Sequence, residues 1–90
     1  MRSAWTLDFA PKAAKQLRKL DRTVAARIVE TLERDLAGHE TPRDFGDALV
    51  GKFTGLWRYR VGDYRAIARI EDRVVTVFVI EVGHRSDVYR

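Results

Sequence analysis

Ninety residues carrying a net charge of +4, 46% apolar side chains and no cysteine exclude several classes of protein at once. At this length folding buries about 60–65% of the unfolded surface, enough for one core, so a single domain over residues 1–90 is expected. Disulfides and thiolate zinc sites are ruled out, and no apolar run approaches the ~18 residues of a membrane span. The start, Met1-Arg2-Ser3-Ala4-Trp5, has no apolar signal core, which makes a cytoplasmic protein the expectation.

The charge is unevenly spread. Residues 1–49 hold nine Lys/Arg against eight Asp/Glu, a net of +1, and residues 50–90 hold eight against five, a net of +3. A basic domain suits nucleic acid, another polyanion or an acidic protein partner.

In chain order, Ala4 to Asp8 alternates weakly and reads as a first strand. Asp8 is placed to cap a helix whose first turn admits Pro11. Ala13, Leu17 and Leu20 recur at helical spacing, with Lys12, Lys15, Arg18 and Lys19 filling the outer surface. Asp21 then caps a second helix, in which Val24, Ile28, Leu32 and Leu36 make an apolar stripe wide enough to cover a sheet. Gly38 and Pro42 end it. Two helices so closely joined form a hairpin.

Residues 40–50 read as a loop with a few apolar anchors, leading into Gly51-Lys52-Phe53-Thr54-Gly55. Leu56 to Arg65 alternates on either side of Gly62-Asp63, the pattern of two strands and a tight turn. Side chains two apart share a face, so Arg58 and Arg60 point one way and Trp57, Tyr59 and Val61 the other, into the core. A two-residue turn sets Arg60 opposite Arg65 and Arg58 opposite Ile67. The second strand runs from Tyr64 to Ile70, and Glu71-Asp72 turns the chain again. Val74 to Ile80 is apolar throughout and β-branched, which predicts a central strand buried on both faces. The order is β-α-α-β-β-β: an α+β fold, a small antiparallel-dominated sheet with an N-terminal helix hairpin on one face.

Three guanidinium groups on one side of one ribbon repel each other, and such a face suits an anionic partner. Read blandly, it is a solvated surface bridged by Asp63, Glu71 or Glu81. His84 and Arg85 follow the last strand, with Tyr89 four residues beyond Arg85, while His39 is expected in an exposed loop. Two histidines without cysteine give no metal constellation, and no glycine-rich loop opens a helix to cradle a nucleotide. No cofactor is expected.

The run Lys52-Phe53-Thr54-Gly55-Leu56-Trp57-Arg58-Tyr59-Arg60-Val61-Gly62-Asp63-Tyr64-Arg65, followed by Val82-Gly83-His84-Arg85-Ser86-Asp87-Val88-Tyr89, resembles the RelE/ParE superfamily of bacterial toxins. The opening, with its Trp-containing strand, Pro11-Lys12-Ala13 and Leu17-Arg18-Lys19-Leu20, is similar to that family too. The resemblance implies a RelE-like fold and the toxin of a type II toxin–antitoxin pair. It implies a ribosome-dependent endoribonuclease that cuts mRNA in the decoding site by attack of the ribose 2′-oxygen, leaving a 2′,3′-cyclic phosphate, with no metal. Ribosome, mRNA and a cognate antitoxin are the implied partners. The family's catalytic positions match Arg58 and Arg60 on one strand, Arg65 on the next, Arg85 after the last strand, and Tyr89. Lys52, Arg58 and Arg60 are the expected RNA contacts.

Preorganised guanidinium groups stabilise the charge that builds on a phosphorane-like centre. Arginine, with a pKa above about 12, is a poor base. His84 is therefore the expected proton carrier, since imidazole titrates near neutrality. Two alternatives share the scaffold: a ParE-like protein that inhibits DNA gyrase by binding, and a non-catalytic basic RNA-binding module.

Overall fold

The computed structural model describes residues 5–37 and 41–84. Strand β1, Thr6–Phe9, leads directly into helix α1, Pro11–Arg18. Proline opens α1 where its missing N–H is no loss. Asp8 does not cap this helix: the cap position belongs to Ala10, and Asp8 Oδ1 instead accepts from the Phe9 amide at 2.9 Å. Paired within the sheet opposite Phe78, Asp8 lies too early in the chain to reach the helix amides. Asp21 does cap helix α2, Arg22–Leu32, its carboxylate accepting from the Thr23 amide at 3.0 Å. The helix loosens into a π-helical turn over Glu33–Ala37 that keeps Leu36 fully buried. The expected stop at Gly38, and His39, lie outside the described residues.

The sheet holds five strands in the order β1-β5-β4-β3-β2. They are β1, then β2 (Asp47–Ala48), β3 (Trp57–Val61), β4 (Tyr64–Glu71) and β5 (Thr76–His84). All neighbours are antiparallel except β1 with β5. The hairpin has the expected register, Arg60 opposite Arg65 and Arg58 opposite Ile67. Its turn places Gly62 at φ +60° while Asp63 stays at negative φ, the II′ form whose twist matches paired strands.

Three expectations change. The loop over residues 40–50 contains a short strand, β2, on the edge of the sheet. The last strand begins at Thr76 and runs on to His84, because Val75 turns the chain in the left-handed region at φ 49° and leaves Val74 66% exposed. Nor is β5 buried on both faces. Val77, Val79 and Val82 are buried under the helices, while Phe78 and Ile80 on the other side stay half-exposed. One helix layer covers one face, and β4, not β5, is the middle strand.

A bulge interrupts β4 and β5 at Ile67/Ala68: Ala68 pairs with Val79, but Ile67 pairs with Glu81. The extra residue on β5 lets Val79 and Val82, three apart, both face the helices and shifts the inward-outward parity of everything after it. Beyond the end of β1, α1 takes over the edge of β5: Gln16 Oε1 accepts from the Val82 amide at 2.6 Å, and Lys12 pairs with Glu81 at 3.4 Å.

The core joins Ala13, Ile28, Leu32 and Leu36 to Tyr59, Val61, Ala66, Ala68, Val77, Val79 and Val82. None of the described helices is long and apolar enough to cross a membrane. Tyr59, 3% exposed, donates its hydroxyl proton to the Pro42 carbonyl at 3.0 Å. Burial pushes its pKa up to about 12. A phenol that stays protonated in the fold but ionises when unfolded contributes stability that is whole below about pH 10 and lost as pH rises toward 12. Urea titrations across pH 9–12 are expected to show stability falling by about 2–3 kcal/mol. Tyr59→Phe is expected to cost about 1 kcal/mol at pH 7 and to flatten that alkaline limb.

Candidate active site

Directly paired residues of antiparallel strands share a face. The hairpin register therefore places Arg58, Arg60 and Arg65 together on the face away from the helices, with Ile67. Their neighbours Tyr59, Val61 and Ala66 point into the core, so one alternation makes both the core and the basic surface. Asp47, opposite Arg58 on β2, joins them from the sheet edge. Its Oδ2 accepts from Arg58 Nη2 at 3.0 Å and lies 3.7 Å from Arg60 Nε. Arg65 makes no ion pair among the described residues, and its Nη1 donates a long 3.4 Å hydrogen bond to the Tyr64 carbonyl. Among the described residues, these three guanidinium groups meet one bonded carboxylate, that of Asp47.

The expected bridging acids are Asp63, Glu71 or Glu81, whereas the carboxylate that meets Arg58 and Arg60 is that of Asp47. Among the described residues Glu71 bonds to Arg69 and Glu81 to Lys12, while Asp47 bridges the arginines. In sequence Asp47 sits in what reads as a loop, ten residues and more from the arginines. The available signal was an acidic residue after Gly46, in a segment of uncertain structure.

Gly46 explains how the carboxylate arrives there. The chain leaves the helix layer at Pro42, passes the edge of β3, and enters β2. A Cβ at Gly46 would stand 2.7 Å from Tyr59 Cε1, 2.9 Å from Cζ and 3.1 Å from the Arg58 carbonyl oxygen. Only glycine lets the backbone slip between the buried ring and the strand.

His84 does not join the arginines. It pairs with Tyr64 on the helix side of the sheet, its ring meeting the Tyr64 ring edge-on at 5.6 Å. With Gln16, Lys19 and Leu20 it lines a surface groove against α1. Gly83, opposite Arg65, takes the position on the arginine side. The bulge in β5 is the reason: strict alternation from Val77 and Val79 would have sent His84 outward. Lys52 is exposed in the 3₁₀ turn Gly51–Phe53 that precedes β3, with its ammonium 5.5 Å from the Phe53 ring centroid. Arg85 and Tyr89 lie outside the described residues. Among the described residues no group of three His, Cys, Asp or Glu is arranged to hold a metal ion.

The model of the family described as the ParE toxin of the type II toxin–antitoxin system parDE matches residues 7–89. The chain belongs to the RelE/ParE toxin superfamily. Among curated relatives of this toxin, Toxin RelG of Mycobacterium tuberculosis is 35% identical over 86 residues, 96% of this chain and 97% of the relative. The mRNA interferase toxin RelE of Escherichia coli is 37% identical over 89 residues, 96% and 90% of the two chains. The fold matches a chain of the RelBE2 toxin–antitoxin complex of M. tuberculosis with a TM-score of 0.84 at 33% identity, covering 94% and 95% of the two chains. It matches the isolated E. coli RelE toxin with a TM-score of 0.72 at 36% identity, covering 96% and 92%.

The passage at Gly46 gives a direct check on how this toxin builds the cluster. Gly46→Ala is expected to destabilise by about 1–3 kcal/mol, the cost of forcing a methyl group into packed surroundings, read as a lower denaturation midpoint. Ala48→Gly, on the same short strand but outside that passage, is expected to cost less than 1 kcal/mol.

Proposed function

We propose that this toxin is an endoribonuclease that cuts mRNA on the ribosome, with the open face of β2, β3 and β4 as its active surface. The observation that carries the reading is the cluster of Arg58, Arg60 and Arg65 around Asp47, in a chain 37% identical to a protein named mRNA interferase toxin RelE. The face is an open sheet surface, suited to a strand of RNA already held in a shaped site elsewhere.

The reaction needs two things from the protein. A base must take the ribose 2′-hydroxyl proton, and cations must stabilise the extra negative charge as the 2′-oxygen bonds to phosphorus and the bond to the 5′-oxygen breaks. Products are a 2′,3′-cyclic phosphate and a 5′-hydroxyl. Arg58, Arg60 and Arg65 are fixed by a paired backbone and offer planar donors to the equatorial phosphoryl oxygens. Asp47, the carboxylate held among them, takes the 2′ proton. Its hydrogen bond from Arg58 fixes the orientation before substrate arrives. His84, across the sheet, is not part of this step. Tyr89 donates to the departing 5′-oxygen and Arg85 adds a further guanidinium, roles that rest on the family resemblance. With guanidinium groups supplying the positive charge, no step calls for a metal ion.

As a toxin in a cytoplasm full of ribosomes, the protein is held silent by a cognate antitoxin, in keeping with relatives solved as toxin–antitoxin complexes. The family description names ParE, which supports a second reading, inhibition of DNA gyrase by binding. The arginine–carboxylate cluster is the feature that favours cleavage.

The test is mapping of cut sites on mRNA with translating ribosomes. Arg65→Ala is expected to lower single-turnover cleavage ~10²–10³-fold and Asp47→Asn ~10²–10⁴-fold, with ribosome binding kept and His84→Ala within a few fold of wild type. Message left intact by the wild-type protein, together with inhibition of supercoiling, would transfer the reading to gyrase.

A further inference from the structure

Strand β2 is two residues long and lies on the sheet edge, too short to hold itself in place. Yet it carries the only carboxylate bonded to Arg58 and Arg60 among the described residues. The segment before it is fastened at several points, all away from the arginine face. Thr41 Oγ1 donates to Asp44 Oδ2 at 2.5 Å, closing the 3₁₀ turn Pro42–Phe45. The Pro42 carbonyl receives the Tyr59 hydroxyl. Arg43 makes a two-pronged bond to Asp72, Nη1 to Oδ1 at 3.0 Å and Nη2 to Oδ2 at 2.8 Å. Its guanidinium carbon also lies 5.9 Å from the Trp57 ring centroid. The Arg43 hydrogen bond lowers the Asp72 carboxyl from its ordinary pKa.

We propose that Arg43 is a positioning residue for Asp47, clamping the strap of residues 41–48 to the β4–β5 turn so that the carboxylate stays on Arg58 and Arg60. This rests on the reading of Asp47 as the proton acceptor. Arg43 is four residues before Asp47, and between them lies Gly46, whose missing Cβ admits the passage past the Tyr59 ring. A fork of two parallel hydrogen bonds fixes direction as well as distance, and the Trp57 face restricts the guanidinium from another side. Loosening this clamp leaves the core untouched and lets β2 swing. Misplacing a reacting group by 1 Å can cost ~10²-fold in rate.

The experiment uses the full chain with translating ribosomes, measuring single-turnover cleavage and its concentration dependence for Arg43→Gln, Asp72→Asn, Asp47→Asn and the double variant Asp47→Asn/Arg43→Gln. Arg43→Gln and the isosteric Asp72→Asn are each expected to lower the maximal rate about tenfold, with the half-saturating concentration and thermal midpoint little changed. In the Asp47→Asn background, Arg43→Gln is expected to cost nothing further, the signature of two residues acting as one unit. Wild-type rates in Asp72→Asn, losses that multiply in the double variant, or losses that track the thermal midpoint would each overturn the clamp. Wild-type cleavage by Asp47→Asn would instead overturn the reading beneath it.

Discussion

Three like charges on neighbouring strands are the constraint around which this surface is built. Held within one ladder, Arg58, Arg60 and Arg65 cannot separate, because the same backbone alternation buries Tyr59, Val61 and Ala66 on the reverse side. Among the described residues, the carboxylate bonded to Arg58 and Arg60 is brought in from the sheet edge by Asp47. Under the proposed function, donors held by a paired backbone are what electrostatic stabilisation of a transition state requires.

The supply of that carboxylate has structural consequences far from the site. A chain that must pass from the helix layer to the open face needs a gap, provided at Gly46 against the Tyr59 ring. It also needs anchors, provided by the Pro42 carbonyl and by Arg43 on Asp72. Tyr59 thus serves the core, the strap and the passage at once. The bulge between β4 and β5 works in the opposite sense: it gives Val82 to the core and carries His84 to the helix side, separating the one described imidazole from the cationic surface. Among the described residues, the carboxylate bonded to Arg58 is that of Asp47, and the His84 imidazole lies on the helix side against Tyr64.

Much of this was legible in the chain itself. The alternation around Gly62-Asp63 gave the hairpin, its register and the shared face of the arginines, because a two-residue turn leaves no freedom in pairing. Asp21 announced its helix and Ile28, Leu32 and Leu36 their buried stripe. Family membership, too, was readable from the arginine hairpin and the Gly83-His84-Arg85 ending, and the matches to RelE-type toxins agree with it.

Local pattern alone determined what depends on near neighbours: strand parity, turn type, helix caps, and which side of the hairpin is charged. Tertiary structure decided what depends on distant ones. The carboxylate of Asp47 reaches Arg58 from eleven residues away, through a loop whose course is set by a ring it packs against. The face of His84 depends on a single extra residue in β5, which exists because Val79 and Val82 both find room under the helices. A bulge is stabilised by packing on both of its strands, and an ion pair across an edge by the path of the chain between, so neither is written in the periodicity of any one segment.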